Sequence, residues 1–235
     1  MENERKFLLK NENWENDVVG EPTDIKQYYL PKTQESRQTI TLVGADSPHP
    51  TIRFSNETLQ AGTNIPADVW EAFPQESKDR LNRNGDGTIT IDDDLEIRVR
   101  IKNNKDALLT IKADSALPNT RHELEFPINA STAKALTESF ATTQLHKIRY
   151  ISPCDNPSDA NWEIDIYQGE NKGLETVEIE LPLGQTDVKK PDWVDEDITH
   201  AKQYSNRKLA EHPFSQWGEV VSLGISNKFG GHAKS

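Results

Sequence analysis

The sequence predicts an α+β protein whose main body is antiparallel β-sheet. Seven segments alternate charged with apolar residues at strict period two, the pattern of strands with one buried face. The charges on those segments come in blocks of one sign. A separate stretch, 66–81, carries helical spacing and makes the class mixed.

The first segment reads Glu2-Asn3-Glu4-Arg5-Lys6-Phe7-Leu8-Leu9. Side chains on a strand alternate between faces, so Glu2, Glu4 and Lys6 share one. The pattern begins at residue 2 and leaves no room before it for a leader. Residues 39–43 and 51–54 read as further strands. Residues 66–81 read as one helix carrying Val69, Trp70 and Phe73, its start favoured by Asn64 and Pro66. In 96–102, Arg98 and Arg100 lie opposite Ile97, Val99 and Ile101. In 107–112, Thr110 and Lys112 lie opposite Leu109 and Ile111. Arg121, Glu123 and Glu125 then lie opposite Leu124 and Phe126. Lys147 and Arg149 flank Ile148, and Glu163 and Asp165 flank Ile164. Glu178 and Glu180 flank Ile179, with Val177 and Leu181 on the apolar side.

A sheet with one wet face accounts for alternation alone. It does not account for charged residues in place of Ser, Thr, Asn or Gln, nor for Arg-x-Arg and Lys-x-Arg on some strands and Glu-x-Glu on others. Carboxylates bind hard divalent cations, while Arg forks and Lys point charges bind phosphate oxygens. A sheet closed on itself would set these blocks facing each other around a polyanion and its metal, and closure also removes edge strands.

At 235 residues the chain holds one large domain or two small ones. It is 34% hydrophobic and 28% charged, lean but sufficient for a core. A formal charge of -12 argues against nucleic acid or anionic membrane as the default partner, without excluding a local basic pocket. No apolar run approaches membrane-spanning length. Cys154 is the only cysteine, so no internal disulfide forms; it reads as a spare thiol in a polar loop. His146, His200 and His212 lack zinc-like spacing. The simplest location is the cytoplasm.

Taken together, these residues resemble the CYTH family of triphosphate tunnel metalloenzymes. Glu2-x-Glu4-x-Lys6 matches the family's N-terminal motif. Arg98-x-Arg100, Leu109-Thr110-Ile111-Lys112, Glu123-x-Glu125, Lys147-x-Arg149, Trp162-Glu163-Ile164-Asp165 and Glu178-x-Glu180 follow in the family's order. Residues 25–30, residues 169–174 and Tyr204-Ser205-Asn206 with Leu209-Ala210 and His212-Pro213-Phe214 look like its bacterial members. The resemblance implies a closed eight-stranded antiparallel β-barrel, a tunnel with charged walls and helices packed outside, that hydrolyses a small-molecule triphosphate with Mg or Mn. It implies Glu2, Glu4, Glu178 and Glu180 as metal ligands, and Lys6, Arg98, Arg100, Lys112, Lys147 and Arg149 as phosphate ligands. It leaves Glu123, Glu125 and Asp165 to hold a second metal or orient the attacking water. Lys6 with one of Tyr28 and Tyr29 would assist proton transfer. The tunnel domain would span 1–217, interrupted by a lobe at 33–93 and followed by a loose tail at 218–235.

That lobe departs from the family: roughly sixty residues stand where a short connection is usual, far beyond an ordinary loop. A lid, a homodimer contact, a partner-binding arm and plain decoration are all open to it. Within it, 82–93 resembles an EF-hand or dockerin calcium loop, with Asn82, Asn84, Asp86 and Asp93 on ligand positions and Gly87 at the sharp turn. A plain turn at 84–87 explains the same residues. Among activities, inorganic tripolyphosphate hydrolysis leads, because nothing resembles a base-recognition pocket. An adenylate cyclase of the same family lacks its usual His-Phe signature here. A thiamine triphosphatase needs an aromatic platform, for which Trp70 is the candidate. A non-catalytic polyphosphate or nucleotide binder would gain nothing from so many carboxylates.

Overall fold

The computed structural model describes residues 3–114, 121–155, 160–182, 184–185 and 187–218. Its strands are β1 (Glu4–Leu9), β2 (Val19–Tyr29), β3 (Thr39–Val43), β4 (Thr51–Ser55), β5 (Gln60–Asn64), β6 (Leu95–Lys102), β7 (Asp106–Asp114), β8 (Arg121–Pro127), β9 (Thr143–Pro153), β10 (Asn161–Tyr167), β11 (Glu175–Glu180) and β12 (Val194–Asp197). Its α-helices are α1 (Ala67–Ala72), α2 (Gln75–Leu81), α3 (Ala130–Ser139) and α4 (Asn206–Glu211). The class is therefore α+β and dominated by antiparallel sheet, as the alternation predicts. The chain divides into two compact units, Lys26–Gln144 and Asn3–Ile25 with the residues from Leu145 onward. Glu2 and the tail beyond Gly218 lie outside the described residues.

In the second of these units the strand order is β12-β1-β11-β10-β9, antiparallel throughout. The apolar positions of the alternation form one core of Phe7, Leu9, Trp162, Ile164, Val177 and Ile179. Edge-to-face ring contacts join Phe7 to Trp162 at 6.0 Å and Trp162 to Trp193 at 5.9 Å. Trp14, on a short 3-10 turn capped by the Asn11 side chain, closes over the same core. Cys154 belongs to it as well. The expected spare loop thiol is a core residue: directly after β9, its N–H donates to the Ala160 carbonyl at 3.1 Å and its side chain joins the apolar cluster.

The other unit contains strands β6-β7-β8 and a three-stranded sheet, β3-β4-β5. The lobe between β2 and β6 thus has its own sheet, with two helices where the sequence predicts one. Pro74 divides them: Phe73, the residue before it, is forced to extended backbone at φ -72 and ψ 128. Strand β5 reads Gln-Ala-Gly-Thr-Asn and has too little apolar character to be recognised from sequence. Gly62 on this strand is a tight spot, since a Cβ there would come within 3.2 Å of the Ile52 carbonyl.

Residues 82–91 close a turn onto β3. Leu42 N–H donates to the Gly87 carbonyl and Ile89 N–H to that of Ile40, each at 2.8 Å. Gly87 sits at φ +82, and a Cβ there would meet the Leu42 carbonyl at 2.7 Å, so the glycine is needed for this docking. The Asn84 amide donates to the Thr88 carbonyl, the Asp86 carboxylate accepts from Thr88 N–H, and Asp93 pairs with Lys32. These contacts match the plain-turn reading and lend the calcium candidate no support.

The lobe and the strands after it share one core. Ile52, Phe54, Trp70 and Leu81 belong to the same apolar cluster as Ile97, Leu109, Leu124 and Phe140. The Phe54 and Phe140 rings stand 6.1 Å apart, and Thr132 on α3 donates to the Gly62 carbonyl. Burying a large apolar side chain contributes roughly 1.5–3 kcal/mol, so removing several leaves the facing strands with an exposed apolar surface. Deleting residues 34–92 is expected to abolish cooperative folding, read as loss of a sigmoidal urea transition and of near-ultraviolet circular dichroism. A cooperative transition in the deletion would show the lobe to be separable.

Candidate functional site

In the unit containing β1, register places the charged residues in rows on one sheet face. Lys6 on β1 lies opposite Glu178 on β11, which lies opposite Glu163 on β10. One row on, Thr176 faces Asp165, which faces Arg149 on β9; beyond it Tyr167 faces Lys147. Directly opposed residues of an antiparallel pair share a face, so the rows form a single polar surface.

That surface is buried. Asp165 is 0% exposed, Lys147 1%, Glu178 5% and Lys6 7%. Charges this deep persist only when paired and hydrogen-bonded. Lys147 Nζ donates to Asp165 Oδ2 at 2.5 Å. Arg149 donates to both Asp165 oxygens, at 2.7 and 2.6 Å, to Glu178 Oε2 at 2.7 Å, and to Glu163. Lys6 Nζ donates to Glu178 Oε1 at 2.7 Å and to the Tyr167 hydroxyl at 3.4 Å. Tyr167 in turn donates to Asn206 Oδ1 at 2.9 Å, tying the first residue of α4 to the network.

Burial alone would lower Lys6, but the opposing charge of Glu178, with Tyr167 and Glu4, raises it above the ordinary lysine value. Lys147 goes the other way. Burial, joined by the positive charges of Arg149 and Lys6, pulls it down to about 8 against the attraction of Asp165 and Glu178. Glu178 is held well below the carboxylate range: burial would raise it, and Lys6, Lys147 and Arg149 outweigh that. Burial pushes the Tyr167 hydroxyl up to about 12 despite Lys6 beside it.

At the start of the same strands Glu4 lies directly opposite Glu180, both exposed. Like charges directly opposed across a ladder repel. Two carboxylates so placed form an all-oxygen donor set that fits a hard divalent cation and is relieved by one. Among the described residues, no group of three or more His, Cys, Asp or Glu is placed to hold a metal ion, and Glu2 falls outside those residues.

The Lys26–Gln144 unit carries a second charged face. Arg98 on β6 faces Thr110 on β7, which faces Glu125 on β8; in the neighbouring row Glu96 faces Lys112, which faces Glu123. Arg98 and Lys112 each reach Glu123 at 3.3 Å, Arg100 reaches Glu125 at 3.3 Å, and Thr110 donates to Glu125 at 2.7 Å. Arg98 is 4% exposed, and its Nε is buried without a hydrogen-bond partner among the described residues. Burial would lower Arg98, but Tyr29, Glu96 and the two β8 glutamates raise it. Of the tyrosine pair, Tyr29 joins this polar face: its hydroxyl donates to Gln27, and burial raises it, with Glu96 adding to the shift. Tyr28 packs on the apolar core instead.

The sequence-predicted residues thus fall into two sets. Lys6, Lys147, Arg149, Asp165 and Glu178 are interlinked, with Glu4 and Glu180 at one end of their strands. Arg98, Arg100, Lys112, Glu123 and Glu125 are interlinked in the other unit. Tyr167, Glu96, Gln27 and Asn206 join these networks without being expected as site residues, although Gln27 and Asn206 lie in the family-like stretches 25–30 and 204–206. Extending the period-two alternation one step would have found Tyr167, two residues past Asp165, and Glu96, two before Arg98. Trp70, the aromatic-platform candidate, is buried in the lobe core with the Lys78 ammonium over its ring.

Comparison with known proteins adds to this geometry. The chain is 33% identical over 150 residues to an inorganic triphosphatase of Acetivibrio thermocellus, covering 63% of this chain and 92% of that protein. The chain belongs to the CYTH family of triphosphate tunnel metalloenzymes. An inorganic triphosphatase of Nitrosomonas europaea is 27% identical over 121 residues, covering 50% of this chain and 76% of that protein. A solved structure of the inorganic triphosphatase NE1496 is 19% identical, with TM-score 0.45 over 89% of this chain and 94% of that one, too loose a likeness to add to the assignment. No family profile matches the chain. None of the helices among the described residues is long and apolar enough to cross a membrane.

The depressed Lys147 gives a signed prediction. Below about pH 8 both folded and unfolded chains hold its proton, and the full penalty of burying the charge is present. Between about 8 and the ordinary 10.5 the unfolded chain binds more protons, so this group's contribution to stability improves as pH rises. In urea unfolding, the stability of the wild type relative to Lys147→Met should rise across that window. A flat difference would show that Lys147 titrates normally.

Proposed function

We propose that the protein is a metal-dependent triphosphatase whose best substrate is inorganic tripolyphosphate. The observation that carries this reading is a sheet face of buried basic side chains, Lys6, Lys147 and Arg149, each held by a carboxylate until a polyanion competes for it. Such a face has no packing advantage over an apolar one, since well-packed apolar residues replace buried ion pairs at little or no cost. It suits a ligand carrying several phosphate oxygens. The family assigns Arg98, Arg100 and Lys112 to the same task, and the buried Nε of Arg98, which has no hydrogen-bond partner among the described residues, is a donor suited to an anion. The family's closed eight-stranded barrel is part of this proposal.

The relatives' names point to inorganic triphosphate as substrate. In the reaction, a water oxygen attacks the terminal phosphorus in line, the bond to the bridging oxygen breaks, and pyrophosphate leaves. The basic side chains hold the phosphate oxygens and neutralise their charge. The resemblance gives Asp165, Glu123 and Glu125 to the attacking water or a second metal. Asp165, buried with both oxygens bonded to Lys147 and Arg149, instead positions those basic side chains, which leaves Glu123 and Glu125 for that role. Glu4 and Glu180, with Glu2 and Glu178, would hold Mg or Mn, which when bound supplies further charge neutralisation on the phosphates.

Phosphate release from tripolyphosphate, ATP and thiamine triphosphate, each with Mg, Mn or EDTA, tests the proposal. Tripolyphosphate should be turned over fastest, and EDTA should stop the reaction. Glu4→Gln should lose at least the roughly 10–100-fold that removing even an outer partner of a metal ligand costs, while remaining folded. Cyclic AMP and pyrophosphate from ATP, or no turnover with any metal, would overturn it.

A further inference from the structure

The inserted lobe makes one buried polar contact with a strand that carries candidate site residues. Strand β8 ends the β6-β7-β8 order, and its alternation puts Glu123 and Glu125 on the polar face and His122, Leu124 and Phe126 on the apolar one. His122 is 7% exposed and lies among the lobe's contacts. Its Nδ1 is 2.8 Å from the Ser77 hydroxyl and 3.2 Å from Glu76 Oε1, both on α2 of the lobe. Ser77 is itself 1% exposed.

A serine, a histidine and a glutamate in contact suggest a nucleophilic relay, but the geometry excludes one. A relay needs the acid on one ring nitrogen and the hydroxyl on the other. Here both fall on Nδ1, and the hydroxyl is sealed from solvent. In the Nδ1–H tautomer the ring donates to the serine oxygen and the carboxylate together, which ties it to both α2 side chains.

We propose that Ser77, Glu76 and His122 form a latch through which the inserted lobe positions β8, making His122 a positioning residue for Glu123 and Glu125. The ladder to β7 sets the register of β8, and helix α1 packs on its apolar face. Apolar packing is non-directional, whereas a buried hydrogen bond is not. The ladder prevents a slip in register, but a small tilt of this end strand away from α2 would carry Glu123 away from Arg98 and Lys112, and Glu125 away from Thr110 and Arg100. Those basic groups would lose the partners that aim them. On this view the lobe is a support for the site, beyond its share in the core.

The inference rests on the proposed triphosphatase reading for its functional consequence, and the test separates the two. Ser77→Ala and His122→Leu remove the latch, and His122→Asn keeps an N–H donor near the Nδ1 position. Leu81→Val, a core change in the same helix, controls for simple destabilisation. At a temperature where all are folded, kcat/KM for tripolyphosphate should fall about tenfold in Ser77→Ala and His122→Leu, and stay near wild type in His122→Asn and Leu81→Val. Amide exchange at residues 123–126 should quicken about tenfold in the first two only. Unchanged kcat/KM in the latch variants, or an equal loss in Leu81→Val, overturns the latch. A wild type without turnover overturns the triphosphatase reading alone, and the exchange rates then decide the latch: unchanged exchange in His122→Leu sinks it.

Discussion

The buried carboxylate of Asp165 is the point on which the β1-containing unit depends. It accepts from both Lys147 and Arg149 in a position with no solvent exposure, and Arg149 carries the link on to a second carboxylate, Glu178, and thence to Lys6. Isolated buried charges are costly, so each of the five residues depends on the charges of the others. They also fix the strands. A slip of one residue between β9, β10 and β11 would turn these charges into the Trp162 and Ile164 core, and that penalty specifies register more sharply than apolar packing does. The fold and the site therefore have the same cause: pairings that satisfy the charges are the pairings that hold the sheet.

The other unit solves a similar problem with an extra layer. Its polar face is built from Arg98, Arg100, Lys112, Glu123 and Glu125, and its apolar face is covered partly by the inserted lobe. Trp70, Phe54, Ile52 and Leu81 from that lobe share a core with Ile97, Leu109 and Leu124. Of the roles open to the insertion from sequence, separable decoration fits poorly with this shared core.

Much of this was legible in the sequence, because period-two alternation is a strong signal and the charged positions repeat it. All of the segments in which it falls within the described residues are strands. What the sequence obscured had local physical reasons. The helix predicted over 66–81 is two, because Pro74 forbids helical backbone at Phe73. Strand β5 escaped notice because Gly62 and its polar neighbours are kept there by backbone proximity and not by side-chain pattern. The calcium-like run at 82–93 shares its glycine and Asx residues with a turn, and Gly87 serves the docking onto β3. Tyr167 was overlooked because an aromatic at a polar-face position looks like core; only the hydroxyl contacts with Lys6 and Asn206 reveal its side.

On the proposed reading, the basic side chains of this face are held by internal carboxylates in readiness for a chain of phosphates. Thermal unfolding in EDTA, with and without tripolyphosphate, tests this without reference to turnover. A ligand bound only by the folded state at about 100 times its Kd stabilises by roughly 2.7 kcal/mol, so the midpoint should rise clearly with tripolyphosphate and much less with orthophosphate. The rise should vanish in Arg149→Met. An unchanged midpoint with tripolyphosphate, or an equal rise with Arg149→Met, would contradict the claim.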